Sequence, residues 1–348
     1  MSFTNRISQT LHDEHGATVA LMERLEQLLA RGRRAGPPDK ADSSVARRVV
    51  LAPAESIATT EIGSGKPVVF VASMLGSGYT YRKVIPLLIE HGYRAIVIEP
   101  LGTGASSFPT KADYSLTSQA DRVGLALDSL GIRDAIVVGQ GMASSIALRL
   151  AYRRPELIRA VLSIDGGVIE SAATPGMRSA AKFAGLIKLF FGVGSIRKRV
   201  NKDMRANAAD TSWITPDLVN AYIAGQARDL DATIDVIKAM VHSKEPESLH
   251  DHLDVYQGPV HFLIGGVPHP TAMPDTEVAM LSTRIRRFSV DTVIGSAQYI
   301  QEENPERVRA AIEWLAGPSE HTGPAVPGRG VQHSEIPPEQ PAETTAAN

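Results

Sequence analysis

Residues 134–156 read DAIVVGQGMASSIALRLAYRRPE. Four apolar residues, Ala135 to Val138, run into a tight turn of Gly139, Gln140 and Gly141, and a stretch rich in Ala and Leu follows. A short unbroken apolar run is the pattern of a strand buried on both faces, and the residues after the turn have helical composition. The same alternation extends outward in both directions. PVVFVAS (67–73), YRAIVIEP (93–100), IRAVLSIDG (158–166), PVHFLIGG (259–266) and RFSVDTVIG (287–295) read as strands. YRKVIPLLIEHG, SLTSQADRVGLALDSLG (115–131, with Ser115 or Thr117 as cap) and NPERVRAAIEWLAG (304–317, opened by Asn304 and Pro305) read as helices. VVLAPAE and SIATTEIG form an early hairpin. The predicted class is α/β, a mostly parallel central sheet with helices on both faces.

The rest of the 348 residues frames this body. Residues 1–45 read as an amphipathic helix (1–34) followed by the linker RGRRAGPPDKADSS. Leu11, Val19, Leu21, Met22, Leu25, Leu28 and Leu29 form an apolar stripe that must pack on something, which makes this helix a candidate for a protein partner or self-association. Residues 46–316 hold the sheet domain, with a mostly helical insertion at about 167–256. Residues 317–348 are rich in Pro, Gly and polar side chains and read as a disordered tail. The net charge of -2 gives no reason to expect nucleic acid. There is no cysteine, and no apolar run approaches the ~18 residues of a membrane span. With a polar N-terminus, the expectation is a soluble cytoplasmic protein. The run AAKFAGLIKLFFGVGSIRKRV (180–200) mixes apolar and basic residues. A lid over a cavity fits it better than a membrane-surface helix, because the run is short and broken by Gly192 and Gly194.

The strand–turn–helix at 134–156 has the form of a G-x-S-x-G nucleophile elbow, with Gly141 in the serine's place. Several further phrases, in the same order along the chain, resemble the α/β-hydrolase family, including a helical cap after the sixth strand. The match covers about residues 55–316 and includes GSGYTYRKVIPLLIEHGYRAIVIEPLGTGASSFP and IQEENPERVRAAIEWL. The resemblance implies a nucleophile at Gly141 and a His-Gly pair at Ala72 and Ser73. It implies an acid at His269, in the phrase Gly266-Val267-Pro268-His269-Pro270, and a base at Gln298, in Gln298-Tyr299-Ile300-Gln301-Glu302. The phrase D-x-R-G-x-G falls on Glu99 to Gly104, with Leu101 in place of Arg. All three triad positions therefore depart from the pattern. Glycine has no atom to attack with, and glutamine has no basicity near neutral pH. The Met142 N–H, beside the loop at Met74, remains as an oxyanion donor.

These residues lead to a non-hydrolytic protein that binds a small apolar or carbonyl-containing ligand, or a protein partner, through Ser73, Met74, Gln140, Gly141, Met142, His269 and Gln298. Two rivals stay open. Ser73 and Asp165 lie at carboxyl ends of strands, where α/β folds bind ligands, and with His269 could form a rewired set serving a hydrolase, lyase or isomerase. The function could instead reside in the N-terminal helix, as a scaffold or assembly factor. No cofactor is implied. His12, Asp13, Glu14 and His15 could suggest a metal, but one helix cannot supply the ligands that a bundle assembles from several. His250 and His252 read as exposed. Ser144 and Ser145 read as small helix residues packed on the sheet.

Overall fold

The computed structural model describes residues 44–174, 176–178 and 193–317. The helix expected over 1–34, most of the 180–200 run and all of the expected tail beyond Gly317 lie outside the described residues. The sheet has eight strands in the order β1-β2-β4-β3-β5-β6-β7-β8. β1 (Val45–Ala52) and β2 (Glu55–Gly63) form the expected hairpin, and β2 also runs antiparallel to β4 (Tyr93–Glu99). β3 (Lys66–Val71), β5 (Ala135–Gln140), β6 (Ile158–Ile164), β7 (Val260–Gly265) and β8 (Phe288–Val293) continue the sheet in parallel with β4.

Each central strand feeds two cores. Val69, Val71, Ile96, Ile98 and Val137 enter one, while Val68, Phe70, Val97, Ile136 and Val138 enter the other. Burial of each such side chain contributes about 1.5–3 kcal/mol, so alternation of polarity would lose one of the two cores. Helices α1 (Val84–Glu90) and α10 (Pro305–Ala316), the latter following α8 (Asp275–Arg284) and α9 (Ile300–Glu303), cover one face, and α2 (Leu116–Ser129) and α3 (Met142–Arg153) cover the other. Ser115 caps α2, its hydroxyl accepting from Ser118 N at 3.1 Å, and Asn304 caps α10 through Arg307 N at 3.3 Å.

Between β6 and β7 lies a helical cap that includes α4 (Val193–Ala206), α5 (Pro216–Tyr222), α6 (Ala224–Arg228) and α7 (Leu230–His242). Met204, Ile214, Leu218, Val219 and Tyr222 form a small core of their own against Tyr79 and Tyr299. The cap is also seated backbone to backbone, since a Cβ on Gly225 would lie 2.7 Å from Gly104 Cα. Among the described residues, no helix is long and apolar enough to cross a membrane.

One cation ties the entry and exit of the cap to the body. Arg149, in α3, is fully buried. It pairs with Glu170 at 2.9 Å and donates to the Ile169 carbonyl at 3.0 Å and to Thr117 Oγ1 at 3.2 Å. Glu245, 3.5 Å from Arg149, accepts the Leu116 and Thr117 N–H groups at the start of α2. Burial opposes ionisation of Glu170. Hydrogen bonds from the His250 ring, the Leu249 and His250 N–H groups and Ser248 outweigh it and hold the carboxyl at about 2. This corrects the reading of the two histidines as simply exposed: His250 bonds Glu170 at 2.8 Å, and His252 stacks on Tyr152 with ring centroids 4.8 Å apart. Sequence spacing gave no sign of either partner. Arg149→Ala strands the buried end of this network, and urea unfolding should show a loss of about 3–5 kcal/mol.

Candidate functional site

The site is built on the turn from β5 to α3. Gly141 has φ 57° and ψ -121°, a conformation that side chains adopt only under strain. Its N–H donates to the Ile164 carbonyl at 3.0 Å, which binds the turn to the end of β6. The surrounding backbone is too close for side chains. A Cβ on Gly139 would lie 2.5 Å from the Ala143 carbonyl, and one on Gly166 would lie 2.2 Å from Ser144 Oγ and 2.3 Å from Gly141 O. Ser144 and Ser145 are buried in α3, as expected. Ser144 Oγ donates to Gly139 O at 3.0 Å, and Ser145 Oγ donates to Gly167 O at 2.6 Å. Both hydroxyls are thus spent on backbone carbonyls.

Gly141 itself is open on its outer side. Among the described residues, its chain neighbours aside, a Cβ there would meet one atom within 4 Å, Gln298 Nε2, at 3.7 Å. Gln298 therefore stands over the nucleophile position, as the family pattern places its base. Its backbone is fixed at both ends. The Gln298 N–H donates to Asn207 O, at the foot of the cap, at 3.1 Å, and Gln298 O accepts from Gln140 Nε2 at 3.4 Å. The Gln140 side chain is thus buried support for Gln298 rather than a free ligand contact. Among the described residues, the Gln298 amide, Ser73 Oγ and the N–H groups of Met74 and Met142 have no hydrogen-bond partner, and all four are placed at or beside the turn and the loop that follows β3.

His269 and Asp165 are brought together, but not as a catalytic base and its helper. His269 Nε2 lies 2.8 Å from Asp165 Oδ2, and His269 Nδ1 lies 2.8 Å from the Val267 carbonyl. Each ring nitrogen faces an acceptor, so neither offers a lone pair to a hydroxyl. Both side chains are 1% exposed. Asp165 Oδ1 also accepts the Gly265 N–H at 2.9 Å, which makes it a link between β6 and β7. No hydrogen bond among the described residues joins Ser73 to this pair. Hydrogen bonds among the described residues therefore join His269 to Asp165 and to Val267 but not to Ser73.

Three features escaped the sequence. Glu99 accepts the Gly78 N–H at 3.0 Å and the Ala105 N–H at 2.7 Å, and burial raises its carboxyl above the usual range. Gln226, from the cap, donates to the Leu75 carbonyl beside Met74, while its Oε1 is buried with no partner among the described residues. Glu302 is buried between Arg82, Lys83 and Tyr222, whose hydroxyl donates to it at 2.7 Å. Glu99 and Glu302 lie within phrases that the sequence comparison had singled out, which is the one signal that could have found them. Among the described residues, no group of three or more His, Asp or Glu is placed to hold a metal.

A model of the alpha/beta hydrolase fold matches residues 66–191. The chain is 34% identical over 112 residues to an epoxide hydrolase of Caballeronia sordidicola, covering 32% of this chain and 34% of that one. It is 35% identical over 105 residues to a haloalkane dehalogenase of Agrobacterium fabrum, covering 30% and 34%. The match thus spans about a third of each of these relatives' own length, and about two fifths of others. The crystal structure of a bromoperoxidase from Bacillus anthracis superposes with a TM-score of 0.64 at 18% identity, over 79% of this chain and 99% of that one.

The two glycines of the turn make a test of this geometry. Gly141→Ala adds only backbone strain, about 1–3 kcal/mol, because its outer side is open. Gly139→Ala adds a collision with the Ala143 carbonyl. Thermal melts should rank Gly139→Ala as the more damaging change.

Proposed function

We propose that this chain, which has the alpha/beta hydrolase fold, uses the site at Gly141 to bind a small carbonyl-containing, largely apolar ligand without hydrolysing it. The observation that carries the proposal is the state of the three reaction positions taken together. Gly141 has no attacking atom, Gln298 has no basic atom, and both nitrogens of His269 are engaged. Hydrolysis through a covalent intermediate needs a nucleophile and a base that can receive a proton, and these positions supply neither.

What remains suits recognition. The Met142 N–H at the start of α3 and the Met74 N–H are donors for a carbonyl oxygen, and the helix end favours the negative end of that dipole. The apolar side chains of Met74, Leu75 and Met142, all packed on the main core, supply the apolar surround. The named hydrolases among the relatives do not argue against this reading, because activity follows from the residues of a site and not from its scaffold. Cytoplasmic placement is part of the same proposal, and the absence of cysteine supports it.

The decisive assay is hydrolysis of p-nitrophenyl acetate and p-nitrophenyl butyrate by the purified protein. Release of nitrophenol is expected to stay at the uncatalysed rate, and Gly141→Ser alone is expected to leave it there, since the new hydroxyl gains no base. Turnover in the native protein that disappears in Ser73→Ala would overturn the proposal.

A further inference from the structure

We propose that Ser289, on the edge strand of the sheet, is an activated nucleophile that accepts one acyl group from a small activated ester or thioester. Ser289 and Asp291 alternate along β8, and His261 stands opposite Ser289 on β7, so the three side chains share one face of the sheet. Ser289 Oγ lies 2.8 Å from His261 Nδ1, and His261 Nε2 lies 3.6 Å from Asp291 Oδ2. Arg307, in α10, lies 3.4 Å from the same Asp291 oxygen and keeps that carboxylate charged and in place.

The contrast with His269 lies in the ring nitrogens. Both nitrogens of His269 face acceptors. In His261 only Nε2 faces a carboxylate, which fixes the proton there and turns the Nδ1 lone pair to the Ser289 hydroxyl. Burial, helped by Arg307 and opposed by Asp291, pushes the imidazole below its usual value, so the neutral and basic ring is the form present at neutral pH. A hydroxyl held by a base that a carboxylate orients is the arrangement that activates serine, on whichever strand it stands. Here Nδ1 is the base and Nε2 the oriented end, the reverse of the usual relay.

β8 is the last strand of the sheet. Ser289 is half-buried there, while the His261 side chain beneath it is only 6% exposed. Trp314 is 48% exposed, with its ring centroid 5.2 Å from that of His261, and offers an apolar face beside the hydroxyl. In the step, Oγ attacks the acyl carbon and its proton passes to Nδ1. The Oγ–C bond forms, the bond from that carbon to the leaving oxygen or sulfur breaks, and the electron pair departs with the phenolate or thiolate. The imidazolium then loses the Nε2 proton to solvent by way of Asp291. Nδ1 is left protonated against the new ester, with no lone pair to activate a water, so the acyl group stays. One group is transferred per chain without turnover, and the hydrolysis assay above keeps its uncatalysed steady rate.

The test is incubation of the full chain with p-nitrophenyl acetate, followed by peptide mass mapping. An acetyl group should appear on Ser289, with one equivalent of nitrophenol released, and Ser289→Ala should lose both. His261→Gln should acquire the group at least about a hundredfold more slowly. Asp291→Asn keeps the shape of the side chain but not its charge. Nitrogen NMR should find the His261 proton on Nε2 in the native chain and shifted toward Nδ1 in this variant, with acetylation slowed at least about tenfold. No acetyl group on Ser289, or acetylation of His261→Gln at the native rate, overturns the proposal. Thermal melts of all three variants separate loss of fold from loss of reactivity.

Discussion

The packing around the turn between β5 and α3 leaves no room for a side chain at Gly139 or Gly166, and the site is arranged around that exclusion. Gly139 faces the Ala143 carbonyl, Gly166 faces Gly141 O, and Gly141 holds a φ of 57°. These are backbone contacts, so a larger residue could be admitted only by moving β5, β6 or the first turn of α3. The close approach also delivers the start of α3 to the edge of the sheet with its N–H groups outward. Gln298 reaches the same place from the loop after β8, and Ser73 and Met74 reach it from the loop after β3. The geometry of the turn is thus a property of main-chain packing, and it does not depend on a serine at position 141.

The ionisable groups follow a second constraint, that a buried charge needs a partner. Asp165 is held at the end of β6 by the Gly265 N–H, and its other oxygen faces into the structure. An acid at position 269 would set two buried carboxyls against each other, whereas histidine gives Asp165 a donor. His269 is therefore explained by Asp165, and no catalytic role is required to account for it. Glu302 is matched in the same way by Arg82 and Tyr222, which joins the loop after β3 to the cap. Removing one member of such a pair costs about 3–5 kcal/mol.

The local parts of this molecule were legible in the residues, and the long-range parts were not. The strands could be read because burial on two faces leaves an unbroken apolar run, and the turn because glycine marks a forbidden φ. Gly141 and Gln298 could be placed by their phrases. The partnership of Asp165 and His269 spans 104 residues, and no local pattern encodes it. The sequence offered Ser73 as a third member, since it shares the same sheet edge. Only the position of the Val267 carbonyl, which takes the second ring nitrogen, removes that possibility. Gln226 was invisible for a similar reason, because nothing in the periodicity of a short cap helix marks the residue that reaches the body.

The exchange of a histidine for Gln298 changes more than reactivity. A histidine at that position would alternate between donor and acceptor roles as its proton came and went near neutral pH. Glutamine has a fixed set of donors and acceptors with no titration in that range. A hydrolase needs the changing state, because the base must take a proton and return it. Recognition needs the constant one, because a partner whose hydrogen-bonding pattern shifts cannot select one ligand consistently. With no side chain on Gly141 and the Gln298 amide beside the gap, the proposed reading has the same fold element bring a resting carbonyl to a fixed dipole in place of a hydroxyl. Under the proposed reading the strained turn has a physical purpose of its own, since it presents the Met142 N–H as a donor for the other end of that carbonyl.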